Sequence, residues 1–193
     1  PEFERKTIEV LRQPLETGYV TISRAMNSVT YPARFMLAIS INPCPCGYFT
    51  DKVKECHCTP HQIQSYMSKI SGPLLDRIDI QIEVPSVQYH ELVSDREVQS
   101  SADIRGKVLA SRTMQKERFK DQPPMVNAHM SSKQTKKYCV LDKSAEAMLY
   151  QAMTELGLSA RGHSKVLKVA RTIADLEESE HIKIEHISEA IQY

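Results

Sequence analysis

Hydrophobic positions change period several times along the first ninety residues. In PEFERKTIEVLRQPLETG, Ile8, Leu11 and Leu15 recur at helical spacing, and Pro14 and Gly18 are expected to end that segment. The next two stretches, YVTISRA and VTYPARF, are rich in β-branched and aromatic residues. Met26-Asn27-Ser28 separates them, which predicts a hairpin over residues 19–35. FMLAISI (35–41) is a continuous apolar run, the pattern of a strand buried on both faces. It ends at Asn42, and the C-terminal strand edge is where open α/β sheets bind ligands.

Farther on, Thr59-Pro60 reads as an N-cap and first helical position, followed by Ile63, Tyr66, Met67 and Ile70 at i, i+3, i+4 and i+7. After SGPLLDR, the residues Ile78, Ile80, Ile82 and Val84 alternate with Asp79, Gln81 and Glu83. That pattern predicts a half-buried strand stopping at Pro85. From about residue 96 the strand signals stop. Helices are expected over SADIRGKVLASRTMQKERF, KSAEAMLYQAMTELG and ARGHSKVLKVARTIADLEE and near EHISEAIQY, with a loop at Pro123-Pro124. The expected fold class is therefore α/β followed by all-α, with one domain over 1–95 and a helical one over 96–193.

With 193 residues, 41% of them hydrophobic, the chain has enough apolar surface to bury a core. Residues 1–95 carry 9 Lys/Arg against 11 Asp/Glu, and residues 96–193 carry 16 against 13, so a strongly basic coat protein is excluded while a local basic patch on the second half is permitted. The sequence has no run of 18 apolar residues and no basic-then-apolar opening, which points to a cytosolic protein without a membrane segment. In that compartment the five cysteines are metal ligands or free thiols rather than disulfides. Cys44, Cys46, Cys56 and Cys58 form two Cys-x-Cys pairs in one short loop and offer enough soft ligands to close a tetrahedral structural zinc site. His57 or His61 is an alternative for one ligand, and a reduced, metal-free cluster is the competing reading. Four protein ligands would leave such an ion no open position for catalysis. Cys139 stands alone and reads as a packed thiol.

The blocks PEF…EVLRQPLETGYVTISRA…YPARFMLAISINPCPCGY, SGPLLDRIDI and SARGHSKVLKVARTIADLE together resemble the magnesium-chelatase-like AAA+ ATPases, in the branch called ComM or YifB. The resemblance covers almost the whole chain. It implies the C-terminal part of a larger ATPase: the end of the α/β core with parallel sheet strands and an inserted hairpin, then a helical lid. In that family the Walker A loop and the acidic Walker B pair come before the segment matching Pro1. Consistently, no G-x-x-x-x-G-K-[ST] occurs here, since Gly106-Lys107 is followed by Val108. By itself the chain is expected neither to hydrolyse ATP nor to bind it tightly.

The resemblance also implies roles for single residues. Asn42 falls at sensor 1, where a carboxamide can donate and accept at once without adding charge near a triphosphate; its bland alternative is an Asn-Pro turn. Arg77 matches the arginine finger, against a local ion pair with Asp76 or Asp79. Arg161 matches the sensor 2 arginine, with Lys165 as a companion on the stripe Arg161, Lys165, Lys168, Thr172, while Val166, Val169, Ala170 and Ile173 face the bundle. The stripe is otherwise a solvated face. The hairpin corresponds to an insertion that in related ring motors touches DNA, so Arg24 and Arg34 are candidates for phosphate contact. The implied whole is a homo-oligomeric ring, expected to be hexameric, that uses ATP and Mg²⁺ to remodel DNA during recombination or uptake of foreign DNA. Two rivals remain: a metal-chelatase-type ATPase subunit, and a zinc-stabilised DNA- or protein-binding module without ATPase activity.

Overall fold

A computed structural model describes residues 1–25, 27–51, 53–85, 99–120 and 126–193, and divides into two units, Pro1–Val93 and Ser94–Tyr193. Pro123 and Pro124 lie outside the described residues.

In the first unit, helices α1 (Arg5–Val10) and α2 (Arg12–Thr17) follow one another through Leu11, which keeps right-handed helical dihedrals. Pro14 does not end the segment as expected. It is the third residue of α2, where a missing amide costs no intrahelical bond, and it is buried. Gly18 closes α2 at φ 73°, its N–H donating to the Pro14 carbonyl over 2.9 Å. A Cβ on Gly18 would also come within 2.9 Å of Arg34 Cγ, so both dihedral and space favour glycine here.

Strands β1 (Tyr19–Arg24) and β2 (Asn27–Pro32) form an antiparallel hairpin, registered from Tyr19↔Pro32 to Arg24↔Asn27. The register leaves Ala25 and Met26 between the strands, so Asn27 and Ser28 belong to β2 rather than to the connection; Met26 itself is outside the described residues. Hydroxyl pairs Thr21–Thr30 and Ser23–Ser28, each at 3.0 Å, hold the two strands across one face.

The capping signal at Thr59-Pro60 is realised in α3 (Pro60–Met67), where Thr59 and Gln62 cap each other reciprocally. Helix α4 (Gly72–Leu75) follows, capped by Ser71. Ile8, Ile70 and Leu74 form the core of this unit, with Leu15 and Leu75 packed on it. Tyr66 is buried and its hydroxyl donates to Glu2 over 2.9 Å.

The parallel strands expected at 35–41 and 77–85 are not formed among the described residues, whose one sheet is the two-stranded hairpin. A strand exists only where a neighbour completes its ladder, and no described strand forms a ladder with either segment. Most of their apolar side chains stand in solvent, with Met36 91% and Val84 77% exposed.

The second unit is helical: α5 (Ser101–Arg118), a 3₁₀ turn (Asn127–His129), α6 (Ser132–Tyr138), α7 (Lys143–Leu156), α8 (Ala160–Leu176) and α9 (Ile184–Ile191). Ser100 with Asp103 and Ser131 with Gln134 form capping boxes at the starts of α5 and α6. Helix α8 is the central element. Its Val166, Leu167, Ala170, Ile173 and Ala174 pack with Phe119, Met130, Ala145, Leu149 and Ile187 into one core. Cys139 is buried in it, and burial pushes that thiol up to about 11. Phe119 and Tyr138 meet edge to face, with centroids 5.4 Å apart.

Candidate metal centre and candidate phosphate-site residues

The loop after residue 41 brings Cys44, Cys46, Cys56 and Cys58 together, all four sulfurs lying within 4.8 Å of one another. Gly47, at φ 85°, turns the chain back so that its N–H reaches the Cys44 carbonyl over 3.0 Å, and the first Cys-x-Cys pair faces one point. Between the pairs, Asp51 Oδ1 accepts from the amides of Val53 and Lys54, tightening the loop. The spacings are 3.3 Å for Cys44–Cys46, 3.7 Å for Cys44–Cys56 and 3.6 Å for Cys46–Cys56. Four thiolates at ~2.3 Å from a tetrahedral zinc ion stand roughly 3.8 Å apart, so the cluster is close to liganding size. Neither His57 nor His61 belongs to it.

The electrostatics of the sulfurs agree with that size. The Tyr48 amide, helped by the Cys44 sulfur, holds the Cys46 thiol down at about 6. The Cys58 amide pulls on Cys56 in the same sense, yet burial and the Cys46 and Cys44 sulfurs push it up to about 12. Cys58 receives the Cys46 amide and is likewise driven up by burial and by the Cys46 and Cys44 sulfurs. Backbone amides aimed at Cys46, Cys56 and Cys58 favour thiolates, while the neighbouring sulfurs oppose ionisation of Cys56 and Cys58. A divalent cation removes that opposition.

Asn42 lies at the entrance of this loop, is exposed, and has its carboxamide carbon 4.0 Å from where a Cβ on Gly47 would stand. Arg77 is not paired with Asp76 or Asp79. Its guanidinium bonds Glu16 on α2 and the Pro73 carbonyl, its side chain is 12% exposed, and its buried Nε has no hydrogen-bond partner among the described residues. Arg24 ends β1 near the hairpin tip, whereas Arg34 lies at the base against Gly18. At strand rise the two are roughly 20 Å apart and form no single patch.

On α8, Arg161 occupies the second helical position and is exposed; Lys165 follows one turn on and is half-buried. The farther half of the stripe has another task. Lys168 Nζ donates to the Ala128 carbonyl over 3.0 Å, and Thr172 Oγ1 accepts from Asn127 over 3.1 Å, so both hold the 3₁₀ turn.

That turn belongs to a buried ionic cluster which sequence reasoning missed. Asp175, wholly buried, accepts from Arg118 Nη1 and Nη2 at 2.7 and 2.6 Å, from Arg171 Nε at 3.0 Å and from Asn127 Nδ2 at 2.8 Å. Arg171 also donates to the Ser179 and Glu180 carbonyls, fixing the turn after α8. Burial lowers its affinity for the proton, and Asp175 opposes that loss. The available signal was the i, i+4 pair Arg171–Asp175, set among positions that the apolar period of α8 assigns to the core.

A mixed unit with a hairpin and a cysteine loop, followed in sequence by a helical unit, matches a known class of protein along both parts of the chain. Residues 1–92 match the family model for magnesium chelatase, subunit ChlI, and residues 98–193 match that for the C-terminal part of the same subunit. The chain belongs to the magnesium chelatase ChlI family, in its ComM/YifB branch. It is 42% identical over its whole length to the competence protein ComM of Haemophilus influenzae, and 39% identical to the uncharacterized proteins YifB of Salmonella typhimurium and Escherichia coli. In each of these alignments the chain spans 37% of the relative's length.

Proposed function

We propose that the chain is the C-terminal part of a ring-forming ATPase of the ComM type, cytoplasmic, which couples ATP hydrolysis to DNA remodelling in recombination or transformation. Family membership through both units supports this reading most directly. The exposed apolar segments 35–41 and 77–85 fit it as strands of a parallel sheet completed by the rest of the longer protein. Bound Mg²⁺ would neutralise phosphate charge. In this chain Asn42 would orient the attacking water, Arg161 with Lys165 would bind phosphates from the lid, and Arg24 and Arg34 would meet DNA phosphates. The cysteine cluster would hold zinc as a staple beside Asn42, with no reaction routed through it.

Arg77 would act in a neighbouring subunit's site. Its buried Nε lacks a hydrogen-bond partner among the described residues, which is uncommon for an arginine that only holds structure. In the full-length protein Arg77→Ala is expected to lower ATP turnover by ~10³ or more, while loss of its partly exposed pair with Glu16 costs about 1 kcal/mol at most. Mixing this variant with a Walker-dead variant that keeps Arg77 should restore part of the activity. No recovery in rings shown to be mixed, or unfolding of Arg77→Ala, makes the arginine structural.

A zinc-stabilised binding module without ATPase activity is the second reading, favoured by the cysteine cluster alone. Nucleotide-dependent ring assembly of the full-length protein separates the two. Metal insertion of the chelatase kind is the third reading, raised by the family description, and magnesium-dependent metallation of a porphyrin by the full-length protein tests it.

A further inference from the structure

We propose that the outer face of α6 is a second nucleic-acid contact, on the helical unit, reading the phosphodiester backbone through Lys133, Lys136 and Lys137. The inference rests on the DNA reading above but uses none of the residues named there. From residue 122 to residue 141 the sequence contains these three lysines and one histidine and no acidic residue. All three lysines are exposed, and among the described residues no carboxylate pairs with any of them. Lys133 and Lys137 line a shallow hollow with Ser131, Gln134 and Tyr138, and Lys137 Nζ stands 4.8 Å from the centre of the Tyr138 ring.

The face is anchored from beneath as well as basic. Thr135 and Cys139 are buried beneath it, Thr135 donates to the Ser131 carbonyl over 3.1 Å, and Tyr138 is held against Phe119. Spacings of i, i+3 and i+4 place the ammonium-bearing stems on neighbouring rows of one helix, about 5–6 Å apart at Cβ. Lysine gives a point charge without bidentate geometry, which suits a repeating phosphate rather than one fixed carboxylate. A basic surface with an adjacent ring fits single-stranded nucleic acid, whose phosphates dominate affinity and whose bases stack.

The test uses this 193-residue chain and a fluorescent oligothymidylate, with anisotropy followed over a salt series. Neutralising three phosphates on a single strand contributes a slope of about 2 in log K against log salt. Lys133→Gln/Lys136→Gln/Lys137→Gln should lower the slope by that amount and weaken low-salt binding roughly tenfold or more, while the triple arginine variant keeps both. Lys136→Gln alone should lower the slope by about 0.7. Arg24→Gln/Arg34→Gln, measured in parallel, tests the hairpin separately, so loss of one contribution and not the other shows which of the two readings failed. An unchanged slope in the triple glutamine variant, no binding by the parent chain, or a change confined to self-association in sedimentation, which would place the lysines against a second copy, each overturns the proposal.

Discussion

Asp175→Asn is expected to destabilise the helical unit by about 3–5 kcal/mol, the cost of breaking a buried ion pair by removing one partner. The carboxylate is fully buried and accepts from two arginines and one asparagine. Asparagine keeps the shape but removes the charge, and it places an amide donor against groups that are themselves donors. Arg171, only 2% exposed, then loses its carboxylate partner among the described residues, and Arg118 loses both arms of its bidentate contact. Single domains are stable by only about 5–15 kcal/mol, so the loss consumes a large part of what holds the unit. For a unit of this size each kcal/mol moves the melting midpoint by about 4–8 °C, which gives a drop of at least about 12 °C.

Urea unfolding of the whole chain, followed by far-UV circular dichroism, measures the effect, with tyrosine fluorescence as a second probe because the protein has no tryptophan. Arg118→Met should cost less than Asp175→Asn, since its side chain is 13% exposed and its loss leaves Asp175 matched by Arg171. A change below about 1 kcal/mol for Asp175→Asn, the value of an exposed pair, refutes the reasoning. So does an Arg118→Met variant less stable than Asp175→Asn.

Protein purified without chelators is expected to carry about one zinc ion per chain with thiolate ligands, and metal-free protein whose four loop thiols all titrate freely under native conditions removes the site. Glu178→Gly should stabilise by about 0.5–1 kcal/mol in urea unfolding, because Glu178 sits at φ 53° where Ser179 N–H closes onto the Ala174 carbonyl over 2.8 Å; no gain contradicts the strain. Asp103 and Asp142 cap α5 and α7 with carboxyls held below the ordinary 3.8, Asp103 chiefly by the Ser100 hydroxyl and Asp142 by the Ala145 amide. Their stabilisation is complete above that value and is lost as pH falls through the lowered one, so Asp142→Asn should flatten the acid limb of a stability–pH profile; an unchanged limb refutes the assignment.

How far the sequence could be read depended on how far apart the interacting residues are. Thr59 caps α3 through Gln62, three residues on, and the four clustered cysteines fall within one loop, so a local pattern sufficed for both the cap and the cluster. Helix α6 was missed although Ser131 and Gln134 announce its start, because its buried position is the polar Thr135 and it presents no apolar period. The two expected strands are not formed among the described residues, for the opposite reason. Their periodicity is clear, but a strand depends on neighbours that a linear pattern does not supply. For Arg77 the local alternative to the arginine finger named the acids beside it, whereas the carboxylate it bonds is that of Glu16, 61 positions away.

The Asp175 cluster shows the same limit at its sharpest. Arg171 and Asp175 fall on the core side of α8, yet as a pair alone they would not be buried, since burying an isolated pair costs more in lost hydration than it returns in attraction. Burial becomes tolerable only when every remaining lone pair and proton is satisfied. That requires Arg118 from 57 positions away and Asn127 from 48. Both arrive only once α5 and the 3₁₀ turn have packed on α8, so the ionic cluster depends on the fold it stabilises. It also reaches the candidate phosphate site, because α8 carries Arg161 and Lys165 at its N-terminal end and Asp175 at the other. Whatever holds Asp175 sets the seating of the helix on which those two cations stand.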